Sequence, residues 1–256
     1  RRGPSPEMAV ERRGDLEVRT FSDREKQREW LTSAGVTMPR KIAKSEDIDS
    51  PVFVKYYGAK GGRGSFIAKN HDEFLAAIKP GMKYAIQEYV VGTRYYLQFF
   101  YSPIADGGYR LSKGSLEMLG IDRRDEANID EMYKLGAQER LRELEIYPTF
   151  VVTGNMPVVL RESLLPKAFE MGERTVERSL ELFGGMIGPV CLETIVTDRL
   201  EFKVFEISSR IVAGTNIFIS GSPYSDMLEL SMSTGRRLAR EIRVAQKRGL
   251  LAEILS

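Results

Sequence analysis

Histidine and cysteine are almost absent from this sequence: its 256 residues include one of each, His71 and Cys191. A single cysteine cannot form an internal disulfide, and Cys191 lies in an apolar run at residues 190–192 that suits a small buried side chain. We therefore expect a reducing, cytoplasmic setting. One histidine and one cysteine cannot build a His-rich zinc site or a Cys–His dyad. Any bound metal must then be a hard cation held by carboxylates.

Long apolar runs and an excess of one charge are also lacking. No stretch approaches the roughly 20 apolar residues that span a membrane, and the opening residues do not resemble a signal peptide. The 38 Lys and Arg nearly balance the 36 Asp and Glu, for a net charge of +2. Bulk charge therefore gives no reason to expect nucleic-acid binding. We predict neither a membrane partner nor a nucleic-acid partner.

Basic residues do cluster in the predicted last helix. They are Arg236, Arg237, Arg240, Arg243, Lys247 and Arg248. A solvated helix face explains these charges more simply than DNA binding does.

The distribution of apolar residues predicts strand pairs that alternate with helices. Residues 1–20 are polar and predict an irregular lead-in. The predicted strands are 52–57, 65–69, 84–91, 94–103, 110–121, 147–153, 189–196 and 202–208, and the predicted helices are 22–35, 71–79, 165–183 and 234–248. Strand pairs joined by short turns indicate an α+β fold with mainly antiparallel sheets and flanking helices.

A glycine-rich loop follows Lys55, which lies within the first predicted strand. Four glycines at positions 58, 61, 62 and 64 allow the backbone to bend closely over a ligand. Lys60 and Arg63 add positive charge, so the loop could cover phosphate groups. It lacks the Gly-Lys-Ser/Thr ending of a Walker loop, and no helix follows it as in a dinucleotide fingerprint. A hairpin loop without a ligand is the alternative.

Two acidic residues, Glu193 and Glu206, lie on the strands that flank a predicted turn. The predicted register pairs Thr197 with Phe202, Ile195 with Val204, and Glu193 with Glu206. Like charges directly opposite one another destabilise a hairpin. A bound Mg²⁺ would turn this repulsion into attraction, with phosphate oxygens and water as its other ligands. A slipped register or two solvated carboxylates are the alternatives.

Polar residues continue along the second of these strands. Ser208 and Arg210 alternate onto the face of Glu206 if the strand continues. Arg210 could neutralise a transferring phosphoryl group or act as a structural ion-pair partner. Thr215 and Asn216 follow a glycine near the same end of the strand.

Several sequence strings resemble the ATP-grasp superfamily: Lys55 followed by a glycine flap, residues 87–92, and the paired acidic strands. They resemble more closely the archaeal formate-dependent 5-formaminoimidazole-4-carboxamide ribonucleotide synthetases. The matching strings include residues 61–64, 88–92, 100–102, 122–124, 153–155, 160–165, 205–208, 210–216 and 233–237. The resemblance runs from about residue 20 to the end of the chain.

This resemblance implies a nucleotide site, a metal site and a substrate site. The nucleotide-binding residues would be Lys55, Gly61, Gly62, Arg63, Gly64, Glu88, Tyr89, Val90, Val91 and Glu126. The ligands of Mg²⁺ or Mn²⁺ would be Glu193 and Glu206, and the catalytic residue facing the γ-phosphate of ATP would be Arg210. The residues touching the ribonucleotide would be Asn155 and Asn216.

The activity that the resemblance implies is an ADP-forming carbon–nitrogen ligation in purine (IMP) biosynthesis. Its substrates would be ATP, formate and 5-aminoimidazole-4-carboxamide ribonucleotide, and the enzyme would form a homo-oligomer. The ATP-grasp core would span residues 21–256, with one subdomain at about 40–92 and another at about 93–256. We expect the N-terminal domain of the family to be absent or incomplete here.

Three positions depart from the family pattern. Glu29 stands where the family tends to have Lys, Gln98 where it often has His, and Ala127 where it has Ser. Two alternatives therefore stay open, a non-catalytic nucleotide-binding paralogue and an ATP-grasp ligase for another carboxylate and amine.

Overall fold

The computed structural model describes residues 24–57, 64–105, 107–126, 150–209, 212 and 222–255. The helices α1–α4 are Arg24–Ser33, His71–Ala77, Leu165–Phe183 and Thr234–Arg248. The strands β1–β10 are Lys41–Ile42, Val52–Tyr56, Ser65–Ala68, Tyr84–Glu88, Thr93–Ser102, Tyr109–Arg110, Ser115–Glu126, Val152–Pro157, Gly188–Val196 and Phe202–Ser208. Short 3₁₀ turns lie at Ser45–Asp47, Glu162–Leu164, Ser225–Met227 and Leu251–Glu253.

The chain divides into two compact units, and every strand pairing with a resolved register is antiparallel. The smaller unit contains Pro39–Gly92 and Arg124–Asn155, and the larger contains Arg1–Met38, Thr93–Arg123 and Met156–Ser256. Residues 124–155 thus belong to the smaller unit, whereas the sequence-based division placed them with the rest of residues 93–256. The α+β class with antiparallel sheets is confirmed.

The smaller unit is built on a four-stranded sheet in the order β1-β4-β2-β3. In β2 the side chains of Val52, Val54 and Tyr56 are buried, while Phe53 and Lys55 point to the other face and are half-buried. This alternation follows from the two-residue period of a strand. Helix α2 covers the buried face, and the core contains Ile42, Val52, Val54, Ala68, Phe74 and Ile86.

The larger unit has a six-stranded sheet in the order β10-β9-β5-β7-β6, with β8 paired to β7. Helices α1 and α3 pack on one face and bury Trp30, Leu97, Phe99 and Val176 in its core. Helix α3 approaches the sheet closely at Gly172, where an added Cβ would lie 2.7 Å from Leu116 Cδ2. The apolar stripe predicted for this helix is therefore its sheet-facing side.

Helix α4 is anchored to the sheet by a buried ionic cluster. Arg237 contacts both carboxylate oxygens of Glu117 on β7, at 2.5 and 3.0 Å, and Glu241 at 2.8 Å. Its guanidinium also lies 4.1 Å from the ring centroid of Phe100. The Ser102 hydroxyl donates to Glu241 at 2.5 Å. One of the basic residues of this helix is thus an internal structural group.

Three element predictions need correction. The strand predicted over 147–153 is found at Val152–Pro157, with residues 147–149 outside the described part. The strand predicted over 110–121 is two strands, β6 and β7, joined by a turn in which Gly114 has φ +74° and an added Cβ would lie 1.9 Å from Ser102 O. The predicted pairs Thr197–Phe202 and Ile195–Val204 are wrong by one residue, because β10 contains a bulge.

Within the described ranges, no helix has the length and apolarity needed to cross a membrane.

Candidate functional site

A row of polar side chains crosses one face of the larger sheet. Glu206 on β10 is opposite Glu193 on β9, Glu193 is opposite Tyr96 on β5, and Tyr96 is opposite Asp122 on β7. Directly paired residues of an antiparallel sheet project from the same face. Glu193 is only 8% exposed, whereas Glu206 is half-buried. The predicted pairing of the two glutamates is confirmed.

The bulge in β10 puts Glu206 on this face. Near the turn, Val204 pairs with Thr194, but the next pair along the ladder is Glu206 with Glu193, which leaves Phe205 as the extra residue. Without that extra residue Glu206 would fall opposite residue 192, and its side chain would point into the apolar core. The ring of Phe205 packs edge-on to Tyr96, with 6.3 Å between the ring centroids.

A second row lies one step along the same face. Ser208, Cys191, Gln98 and Gly120 are successive partners across β10, β9, β5 and β7. The Ser208 hydroxyl donates to Glu193 Oε1 at 3.5 Å. Gln98 Nε2 donates a short hydrogen bond to Oδ2 of Asp122 in the first row. Hydrogen bonding thus links the second row to two carboxylates of the first, Glu193 and Asp122.

The donor set of Glu193 and Glu206 fits a cation that is shared with a ligand. Two carboxylates supply at most four oxygens, whereas Mg²⁺ takes six oxygen ligands in octahedral geometry. Among the described residues there is no group of three or more His, Cys, Asp or Glu side chains that could hold a metal ion. Phosphate oxygens and water can supply the other ligands, which is how Mg²⁺ is bound in nucleotide sites.

Lys55 lies at the centre of the smaller sheet. It is opposite Ser65 on β3 and Ala85 on β4, and its ammonium nitrogen is 5.6 Å from the ring centroid of Phe53. Gly64 is exposed with φ +72° and directly precedes β3. The other predicted flap residues, Gly61, Gly62 and Arg63, lie outside the described residues, as do Arg210 and Asn216.

The segment predicted to bind adenine follows β4. Glu88 is its last residue and pairs with Val52, and the N–H of Glu88 donates to Arg40 O at 2.8 Å. Tyr89 N–H donates to Pro51 O at 2.9 Å. Val90 and Val91 have left the strand, which was predicted to reach residue 91, and Val91 is 77% exposed. The chain enters the larger unit at residue 93.

Glu126 and Asn155 lie on the paired strands β7 and β8. Glu126 ends β7 and is 9% exposed. Asn155 Oδ1 is buried and has no hydrogen-bond partner among the described residues. Because a buried acceptor is nearly always satisfied in a folded protein, this atom is suited to receive a ligand donor. Its neighbour Thr153 donates to the backbone oxygen of Asp125 at 3.3 Å.

Two residues of the larger unit had no predicted role. Asp122 is fully buried beside Gln98. The sequence does indicate it, because an acidic residue here directly follows the apolar run of β7. Gln27 on α1 donates to Ile207 O at 2.9 Å and accepts from Ile207 N–H at 3.3 Å. It thereby fixes the backbone between Glu206 and Ser208, and no sequence pattern points to it.

The chain is similar to several known proteins in sequence and in fold. A family model described as a domain of unknown function, DUF1297, matches residues 75–256. The chain is 64% identical over 235 residues to the 5-formaminoimidazole-4-carboxamide-1-(beta)-D-ribofuranosyl 5'-monophosphate synthetase of Methanothrix thermoacetophila, covering 92% of this chain and 66% of the relative. It is 61% identical over 251 residues to the synthetase of the same name from Methanococcoides burtonii, covering 98% and 70%. The chain thus spans about two thirds of the length of these relatives.

Solved structures are also similar to this chain in fold. An IMP biosynthesis protein PurP from Thermococcus kodakaraensis matches with a TM-score of 0.68 and 27% identity, over 93% of this chain and 70% of that one. N5-carboxyaminoimidazole synthetase from Staphylococcus aureus, complexed with ADP, matches with a TM-score of 0.57 and 15% identity, over 85% and 53%, and supports the fold alone. The fold is that of the ATP-grasp enzymes, and the chain belongs to the family of 5-formaminoimidazole-4-carboxamide-1-(beta)-D-ribofuranosyl 5'-monophosphate synthetases.

Proposed function

We propose that the protein is an ATP-dependent ligase that uses formate to formylate 5-aminoimidazole-4-carboxamide ribonucleotide, in the formation of IMP. The observation that carries this proposal is the pairing of Glu193 with Glu206 on one face of the sheet. Two opposed carboxylates, without a third acidic ligand among the residues that the structure describes, suit a cation shared with the phosphates of ATP. The names of the relatives supply the class of product.

The chemistry requires that formate be activated. Formate acylates amines poorly because its leaving group would be oxide. In the first step a formate oxygen attacks the γ-phosphorus of ATP and the bond from phosphorus to ADP breaks, giving formyl phosphate. In the second step the amine nitrogen attacks the formyl carbon, phosphate leaves, and the amine gives up a proton. The protein contributes positioning, charge neutralisation and exclusion of water.

The residues divide these tasks. Glu193 and Glu206 would hold Mg²⁺ or Mn²⁺, which offsets phosphate charge when bound. Lys55 and Arg210 would carry positive charge to the phosphates, and the glycine flap would close over them. The adenine would lie against the segment 88–91 with Glu126 nearby. Asn155 and Asn216 would bind the ribonucleotide, and the unsatisfied Oδ1 of Asn155 supports its part in this.

Oxygen-18 transfer provides a sharp test. The full-length protein is given ATP, Mg²⁺, the ribonucleotide and ¹⁸O-labelled formate, and the products are followed by mass spectrometry. Attack by formate on the γ-phosphate moves one formate oxygen into the released phosphate, so we expect labelled phosphate in a one-to-one ratio with ADP. Unlabelled phosphate from a productive reaction would rule out formyl phosphate.

Two other outcomes identify the alternatives. ATP binding without ADP release would indicate a non-catalytic nucleotide-binding paralogue, in keeping with the exposed Glu29 on α1. ADP release with a different carboxylate and amine would indicate a ligase of changed specificity. A homo-oligomeric state and a cytoplasmic location stay predictions, to be measured by light scattering and by fractionation.

A further inference from the structure

Gln98 is a buried amide with a fixed orientation. Its side chain is on the central strand β5, it is 6% exposed, and its Nε2 donates to the fully buried Asp122. Because Asp122 Oδ2 accepts from Nε2, the amide nitrogen of Gln98 faces Asp122 and the amide oxygen points elsewhere. Within the described part of the chain, the Gln98 side chain makes no other hydrogen bond.

Among the residues that the structure describes, this orientation leaves the amide oxygen and one N–H of Gln98 without a partner, on the same face as the acidic pair. Gln98 is opposite Cys191, two residues along β9 from Glu193. Such diagonal neighbours lie about 7–8 Å apart. A group bound to Gln98 would therefore be close enough to the proposed metal ligands for one small acyl phosphate to contact both.

We propose that Gln98, oriented by Asp122, is a specificity-determining residue that binds the amine substrate. The inference rests on the proposed function and deepens it. The amide oxygen of Gln98 accepts a hydrogen bond from an uncharged amine, and its second N–H donates to an adjacent carbonyl oxygen. An aromatic amine beside a carboxamide presents this donor–acceptor pair, whereas an amine without the neighbouring carbonyl satisfies only one of the two groups.

The selectivity has a physical basis. A buried amide that loses its partner is left unsatisfied, so a site built around hydrogen bonds rejects analogues that lack the matching group. Asp122 is a positioning residue here, because it acts through Gln98. A carboxylate at position 122 prevents the amide from turning over, which would exchange its donor and acceptor.

The test measures ribonucleotide binding separately from nucleotide binding. We expect Gln98→Met, which keeps the size of the side chain but removes both polar groups, to weaken binding of the ribonucleotide about tenfold or more by calorimetry without ATP or formate. The KM for the ribonucleotide should rise by a similar factor, while the affinity for metal–ADP changes less than about twofold. Gln98→His should recover part of the loss, because one ring nitrogen can donate to Asp122 while the other accepts.

A matched control and a second variant distinguish a specific loss of ribonucleotide binding from a general loss of structure. Thr194→Val removes a buried hydrogen bond to Tyr95 O, 2.8 Å long, on the opposite face of the same sheet, and it should leave ribonucleotide affinity unchanged. Asp122→Asn keeps Gln98 intact but lets its amide turn over, so it should also weaken ribonucleotide binding. Discrimination against an amine lacking the carboxamide should fall in both Gln98→Met and Asp122→Asn.

The outcomes separate this inference from the proposed function. If the wild-type protein turns over the ribonucleotide and Gln98→Met binds it equally well, the role of Gln98 is refuted while the function stands. Equal losses of ribonucleotide and ADP affinity would also refute it, since they indicate a general structural effect. A wild-type protein that neither binds nor converts the ribonucleotide would overturn both.

Discussion

In the part of the chain that the structure describes, Arg237 is the only cation in a buried cluster with the carboxylates of Glu117 and Glu241. The substitution Arg237→Met removes this cation. The exposed fractions of these side chains are 4% for Arg237, 8% for Glu117 and 6% for Glu241. Desolvation alone would lower the pKa of the guanidinium, but the hydrogen bonds and charges of both glutamates outweigh it and hold the pKa above its usual value. Breaking a buried ion pair from one side costs about 3–5 kcal/mol, because it leaves charge uncompensated. We expect a loss of this size here.

Urea denaturation measures this loss as the change in the free energy of unfolding. For a chain of this length the same loss lowers Tm by about 6–20 °C. The triple variant R237M/E117Q/E241Q removes all three charges and should recover most of the stability. Arg240→Met is the matched control on the same helix: its 2.9 Å pair with Glu229 is over half exposed, so it should cost less than about 1 kcal/mol. A stability for Arg237→Met within 1 kcal/mol of the wild type would refute the reasoning.

Two further substitutions test contacts at the edge and in the core of the larger unit. Gln27→Met leaves the N–H and C=O of Ile207 without the side chain of residue 27 as their partner, so we expect the free energy of unfolding in urea to fall by about 1–3 kcal/mol. Because Ile207 lies between Glu206 and Ser208, Mn²⁺ binding should also weaken. A variant with normal Mn²⁺ binding would contradict the link to the site. Tyr224→Phe removes the acceptor of Leu160 N–H, 2.7 Å away, and should cost about 1–2 kcal/mol near neutral pH. Burial raises the pKa of Tyr224 above 10.0, despite the opposing hydrogen bond from Leu160, so its contribution is complete below pH 10 and declines as pH rises through the higher folded-state pKa. The stability difference from Tyr224→Phe should therefore shrink above pH 10, and a difference that grows there would show the sign to be wrong.

Much of the fold follows from local patterns in the sequence. Strand β10 and helix α4 were predicted to the residue. For α4 the reason is local capping, with Ser233 accepting from the N–H of Arg236 at 3.3 Å and Gly249 ending the helix at φ +70°. The pairing of Glu193 with Glu206 was also predicted, although the register on which that prediction rested was wrong nearer the turn.

The remaining features depend on contacts that are distant in the sequence. The bulge at Phe205 is supported by the ring of Tyr96, from a strand more than a hundred residues earlier. Gln98 and Asp122 meet because β5 and β7 pair, and Arg237 meets Glu117 from 120 residues away. No local pattern encodes these partners. The roles of Lys55 and Asn155 rest on the resemblance and on their surroundings in the smaller unit, and they stay predictions.

Manganese binding in the presence of ADP tests the central claim most directly. Electron paramagnetic resonance of Mn²⁺ can be recorded on the wild type, Glu193→Gln and Glu206→Gln, with Thr194→Val as the control. If the two glutamates hold a cation shared with nucleotide phosphates, ADP should strengthen Mn²⁺ binding in the wild type and in the control, and each glutamine should weaken it at least about tenfold. Unchanged Mn²⁺ affinity in both glutamine variants would contradict the claim.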